Sequence, residues 1–246
     1  MQGLSRYSNR FKTRLVPVLV AGPLSTVLLV GGVMAQDSTP TTTPAGVVGD
    51  AIATDSCNLA DYAATPTGTS ALYSIVSDQS EARYEAEEEF VGQGANTAIG
   101  TTNAFIGQIG LDANGAPLVC SRFDVDLRTL VSDDSRRDNK LYEETLETGE
   151  FPLATFILTS VEGLNGGLVD GQETSVTLVG NLTLHGVTKL VAWSGTVKLD
   201  GDTLTGSAEL SFNIADFDMV EPSSPQVLSI DDTIKLGVNI VAQKAA

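Results

Sequence analysis

The sequence has 246 residues, with 14 Lys+Arg against 31 Asp+Glu and a formal charge of -17. A hydrophobic fraction of 42% is enough to build a core and excludes wholesale disorder, while the acidity argues against nucleic-acid binding, which needs a basic face for phosphates. One histidine, His185, and two cysteines, Cys57 and Cys120, rule out multi-histidine and all-cysteine metal sites, so neither metal nor cofactor is expected.

In chain order, Arg6, Arg10, Lys12 and Arg14 precede an apolar run from Leu15 to Met34, closed by Val33-Met34-Ala35. This is the three-part pattern of an export signal over residues 1–35. The run is also close to the roughly 20 residues that span a bilayer, so cleavage and retention as an N-terminal membrane anchor are both open. Either outcome places the remainder outside the cytoplasm, in a periplasm or beyond the cell. In that oxidising setting Cys57 and Cys120 are expected to pair, the alternative being two unpaired thiols with one buried. Closing a loop of about 60 residues stabilises a fold by roughly 4 kcal/mol on the chain-entropy argument.

Residues 36–70 read as a Thr/Pro/Ala-rich linker, extended or disordered, within which Val47 to Tyr62 is a mixed piece able to dock through Cys57. From residue 71 to 242 the texture is that of β-structure, with short alternating runs between Gly, Asn and Asp turn signals. Strands are expected at Tyr73–Val76, Glu81–Phe90, Ala104–Leu111, Ser121–Leu130, Thr155–Val161, Ser175–Leu184, Lys189–Leu199, Thr203–Asn213 and Asp232–Ala242. Asp200-Gly201-Asp202 is a hairpin turn rather than a calcium loop. One helix is expected over about Asp134–Thr148, capped by Ser132 or Asp133 and stopped by Gly149. About eight antiparallel strands with one helix make a barrel or a sandwich.

Three segments carry a family resemblance. Arg137-Asp138-Asn139-Lys140-Leu141 is followed by Phe151-Pro152-Leu153-Ala154-Thr155-Phe156, and then by Gly180-Asn181-Leu182-Thr183-Leu184-His185-Gly186-Val187-Thr188-Lys189. In this order and spacing, across Leu72 to about Val241, the chain resembles the YceI-like family. The resemblance implies an all-β fold, an eight-stranded antiparallel lipocalin-like barrel with one inserted α-helix. It also implies an exported, non-catalytic binding protein with an isoprenoid-type lipid in the barrel interior. The stretch Arg83 to Phe90 lacks the histidine that many relatives carry in the second strand, and Asn213-Ile214-Ala215-Asp216-Phe217 lacks an arginine found in relatives.

Alternation selects the inward side chains. The candidate lining is Phe123, Val125 and Leu127, then Phe156 and Leu158, then Leu178, Leu182 and Leu184, then Trp193, Leu210 and Phe212. Gly180, Gly195, Gly206 and Ala208 are read as leaving room along the axis. Alternation by itself favours a filled core without a small ligand, a barrel that would serve structure or protein interaction, and it is the family resemblance that turns the reading to a ligand-holding interior. Arg136 and Arg137 are candidates for a lipid head group at the rim, with capping and helix-end electrostatics as the plainer role. His185 is a further rim candidate, or a turn histidine bonded to backbone. The acidic runs, Glu85 with Glu87–Glu89 and Glu143 to Glu150, read as solvated faces, and the sequon at Asn181 is discounted because it lies inside a strand. A hydrolase is disfavoured, since Ser194 does not sit on a nucleophile elbow. The oligomeric state is left open.

Overall fold

The computed structural model describes residues 45–54, 57, 65–92, 94–222, 225 and 227–245. The export signal or anchor expected over 1–35 lies outside the described residues, as do stretches 36–44 and 58–64 of the expected linker. Among the described residues the fold is the expected closed eight-stave antiparallel barrel with one short helix. Two staves are interrupted. The first is β2 (Ala71–Ile75) with β3 (Glu81–Phe90), and the second is β4 (Gly94–Thr102) with β5 (Phe105–Leu111). The others are β6 (Arg122–Asp126), β7 (Leu153–Glu162), β8 (Glu173–Leu184), β9 (Val187–Asp200), β10 (Thr203–Asn213) and β11 (Val227–Lys244). β10 pairs with both β9 and β11, and β11 returns to β2 and β3, which closes the barrel.

Two tight turns set the register of the last staves. Leu184 pairs with Val187 across His185 and Gly186, at φ 50° and 72°. Such two-residue hairpins need positive φ at both positions, which matches the strand twist. Asp200 pairs with Thr203 across Gly201-Asp202. The expected turn there is borne out, with the Gly201 N–H donating to Asp170 Oδ1 at 2.7 Å.

Two strands were not expected. β4 (GANTAIGTT) hides its pattern, because its inward positions Ala98, Gly100 and Thr102 are small or polar while Ile99 points out. β1 (Gly46–Asp50), inside the expected linker, pairs antiparallel with residues 189–192 of β9. The adjoining Ile52 is clamped by Asn181, whose side-chain oxygen accepts from the Ile52 N–H at 2.9 Å and whose amide donates to the Ile52 carbonyl at 2.6 Å. Asn181, on the outward face of β8, is correspondingly buried. The disulfide joins Cys57 to Cys120 with Cα atoms 5.4 Å apart, fixing one end of the N-terminal segment beside the start of β6.

The helix is shorter than expected. α1 (Ser135–Lys140) continues as one wider, π-type turn over Leu141–Thr145. Its cap is Asp134, not Ser132 or Asp133: the Asp134 carboxylate accepts from the Arg136 N–H at 2.9 Å, while Ser132 donates to Asp138 at 2.6 Å. The chain reverses at Glu147, in the left-handed region at φ 44°, and not at Gly149. The strand expected over Ser121–Leu130 ends at Asp126, whose side chain accepts from the Arg128 N–H and opens a single 3-10 turn. Asp124, on the face of β6 opposite Phe123 and Val125, is nonetheless fully buried and held by the guanidinium of Arg122 at 3.0 and 2.8 Å.

Candidate functional site: a half-open barrel

The two ends of the barrel differ. At the end where β8 starts and β9 turns into β10, Tyr73, Leu111, Leu168, Val176, Leu204 and Ala242 pack into a solid plug. The 163–172 connection seals this end. Gly167 lies so close to the Asn114 carbonyl that a Cβ there would sit 1.9 Å from it. At the other end the staves splay around a cavity of about 440 Å³, within the range of about 300–1,000 Å³ usual for small-molecule sites. A second, smaller cavity of about 80 Å³ lies further in, and Phe123, Trp193 and Val238 border both. Phe123 and Phe156 (ring centroids 5.4 Å apart) and Phe156 and Trp193 (6.1 Å) form an aromatic belt at this boundary.

Of the lining residues expected from alternation, Phe123, Val125, Leu127, Leu182, Leu184, Trp193 and Phe212 border the main cavity. Phe156, Leu158 and Leu178 border the smaller one. Leu210 borders neither; it is 1% exposed and packed among the core side chains. Of the small residues named from sequence, Gly206 and Ala208 border the smaller cavity, whereas Gly180 and Gly195 open no space. A Cβ on Gly180 would meet the Phe156 ring at 2.5 Å, and one on Gly195 would meet Ala208 at about 2.7 Å, so neighbouring atoms already occupy that room. In the main cavity space comes from Ala82, Ala86 and Ala98 on β3 and β4 and from Ala154 on β7.

Sequence reasoning missed one wall altogether. β3 contributes Ala82, Tyr84, Ala86, Glu88 and Phe90, and β11 contributes Ile234, Leu236 and Val238. The period-two signal in β3 was present but sat inside an acidic run. Glu88 is correspondingly not on a solvated face: it is 7% exposed, accepts from Asn96 at 2.8 Å and pairs with Arg137 at 2.7 Å. The helical insert closes part of the mouth with Leu141, Thr145 and Leu146.

Arg136 and Arg137 do border the mouth, beside Asp134 and Lys140. Arg136 is chelated by Asp134 at 3.2 and 2.8 Å, and the hydrogen bonds from Arg136 pull the Asp134 carboxyl down to about 2. Burial works against the charge of Arg137, yet Asp133 and Glu88 hold its pKa above the ordinary arginine value. Burial pushes the Tyr84 hydroxyl up to about 12, so this wall group is neutral at physiological pH. His185 is not among the residues around the cavity. Its ring lies against Phe151 (centroids 4.9 Å), with its nitrogens 3.2 Å from the Phe217 carbonyl and 2.7 Å from the Glu147 carboxylate. It pins the end of the insert to the β8–β9 turn, closer to its backbone-bonded reading than to a rim role.

Comparison with known proteins gives the following. Residues 73–242 match the YceI-like domain. A UPF0312 protein of Shewanella sp. (strain W3-18-1) is 37% identical over 101 residues, covering 40% of this chain and 49% of that protein. The chain thus spans about half the length of this curated relative. A UPF0312 protein of Pseudomonas putida (strain F1) is 30% identical over 146 residues, covering 55% of this chain and 71% of that protein. Among solved structures, a polyisoprenoid binding domain from Saccharophagus degradans implicated in plant cell wall breakdown superposes with TM-score 0.54 at 16% identity, covering 70% of this chain and 98% of that one. Burkholderia cenocepacia BcnA gives TM-score 0.54 at 18% identity, covering 69% and 99%. At these identities the structural likeness is one of fold.

Proposed function

Because this chain belongs to the YceI-like family, we propose that it is an extracytoplasmic carrier that holds an isoprenoid-type apolar lipid in the open half of its barrel and catalyses no reaction. The observation that carries this reading is the cavity of about 440 Å³, walled by Phe123, Leu182, Trp193, Phe212 and Leu236 and closed at its inner end by aromatic rings. Burial of a slim hydrocarbon there contributes about 25 cal/mol per Å² of apolar surface removed from water, against the cost of ordering the chain. The lipid enters tail first and stops at Phe123, Phe156 and Trp193, leaving its polar end beside the helical insert. The polyisoprenoid binding domain from Saccharophagus degradans, with the same fold, supports the choice of cargo. The basic and apolar start of the sequence supports export, with the leader either removed or kept as a tether. Absence of catalysis is argued from the single histidine, which lies away from the cavity and engages Glu147 and Phe217. Native mass spectrometry of the protein purified from its own host tests the proposal. A co-purifying isoprenoid lipid is expected. Clean apo-protein that takes up no added polyprenoid would leave a scaffold or protein-interaction barrel in its place.

A further inference from the structure

The polar end of any cargo must rest against the mouth, and the charges there are already matched. Arg136, Arg137 and Lys140 are the cations that the insert brings to the cavity. Arg136 gives one edge, Nε and Nη2, to Asp134, at 3.2 and 2.8 Å. Arg137 gives one nitrogen to Glu88 at 2.7 Å and the other to Asp133 and to Ser132 Oγ, the last at 3.2 Å. Lys140 donates to Glu144 at 2.7 Å. Asp138, 8% exposed, adds a further buried carboxylate accepting from Ser132. Three cations therefore meet five carboxylates, Glu88, Asp133, Asp134, Asp138 and Glu144. The other charged wall residue, Arg83, is held by Glu85 at 2.6 Å.

Resting on the carrier reading above, we infer that the mouth selects lipids with an uncharged polar end, such as an alcohol, and rejects the same chain ending in phosphate. A phosphate that engaged Arg137 would have to displace Glu88 or Asp133, leaving that carboxylate unpaired beside a second anion, and one on the remaining edge of Arg136 would lie close to the Asp134 carboxylate. For Glu88 the displaced group is nearly buried, where an unpaired charge is most costly. A neutral end leaves every ion pair intact and needs only a hydrogen bond at the rim. Specificity of this kind comes from the penalty placed on the wrong partner.

Isothermal titration calorimetry of the full chain with farnesol and with farnesyl phosphate tests this, since the two share one tail. The alcohol is expected to bind about tenfold or more tightly than the phosphate at low salt. Added salt is expected to strengthen phosphate binding by screening the repulsion and to leave the alcohol nearly unchanged. Asp134→Asn keeps a capping side chain and frees Arg136, so it is expected to narrow the gap. Phosphate binding as tightly as the alcohol, with an affinity that falls as salt rises, would overturn this inference and leave the carrier reading standing. Binding of neither would overturn both.

Discussion

The barrel's two ends use the same strands for opposite purposes. At the sealed end Tyr73, Leu111, Val176, Val197 and Leu204 meet across the axis, and Leu168 comes in from a loop to finish the plug. At the open end the facing side chains are Ala82, Ala86, Ala98 and Ala154, and the first half of β11 leans away with β3 and β4 instead of meeting β2. The difference is one of side-chain volume and stave direction. Hydrophobic character is similar at both ends, which is why alternation by itself points to a filled core and does not mark the open half. A filled core describes one half of the molecule and an open interior the other.

The contrast can be broken by perturbing one end at a time. The largest effect is expected from the disulfide. Cys57 and Cys120 are 63 residues apart, so reduction or a paired Cys→Ser replacement is expected to cost about 4 kcal/mol of stability, read by chemical denaturation. Lipid affinity is expected to change far less, because Cys120 enters β6 on the sealed side. Next, Leu111→Ala, at 2% exposure in the plug, is expected to cost about 2–5 kcal/mol. Leu236→Ala, on the cavity wall, is expected to cost under about 1 kcal/mol, because its side chain already faces open space. Equal costs would mean that the two ends are packed alike. Leu182→Trp fills the cavity from β8 and is expected to weaken polyprenol binding about tenfold or more while the plug keeps the barrel folded.

The smallest effect concerns pH. Asp134 has its carboxyl lowered to about 2 from the ordinary 3.8, so its contribution to the insert is fully present above pH 4 and fades as pH falls through about 2. Amide exchange at the start of α1 is expected to rise over that window, with the plug strands still protected. Unchanged protection at the helix start down to pH 2 would remove Asp134 from its capping role.

The later staves were legible in the sequence because β8, β9 and β10 alternate cleanly and their turns carry His-Gly and Gly-Asp. The disulfide followed from cysteine number and the expected export of the chain. β4 escaped notice because the barrel demands small residues on its inner face, so its visible hydrophobe, Ile99, points outward. Glu88 and Asp124 escaped because nothing local marks a carboxylate whose arginine partner, or whose burial, depends on the tertiary fold. Gly180 misled in the same way. The absence of a side chain is visible in the sequence, but the Phe156 ring that takes its place belongs to another strand.

Trp193 is the sole tryptophan of the chain and stands where the main cavity meets the aromatic belt, which makes its emission the most direct test of an open, ligand-holding half. Titration with a polyprenol is expected to give a saturable shift in Trp193 fluorescence whose midpoint matches the calorimetric affinity. Emission that stays constant while calorimetry or mass spectrometry records a bound polyprenol would place the lipid somewhere other than the barrel and contradict the account.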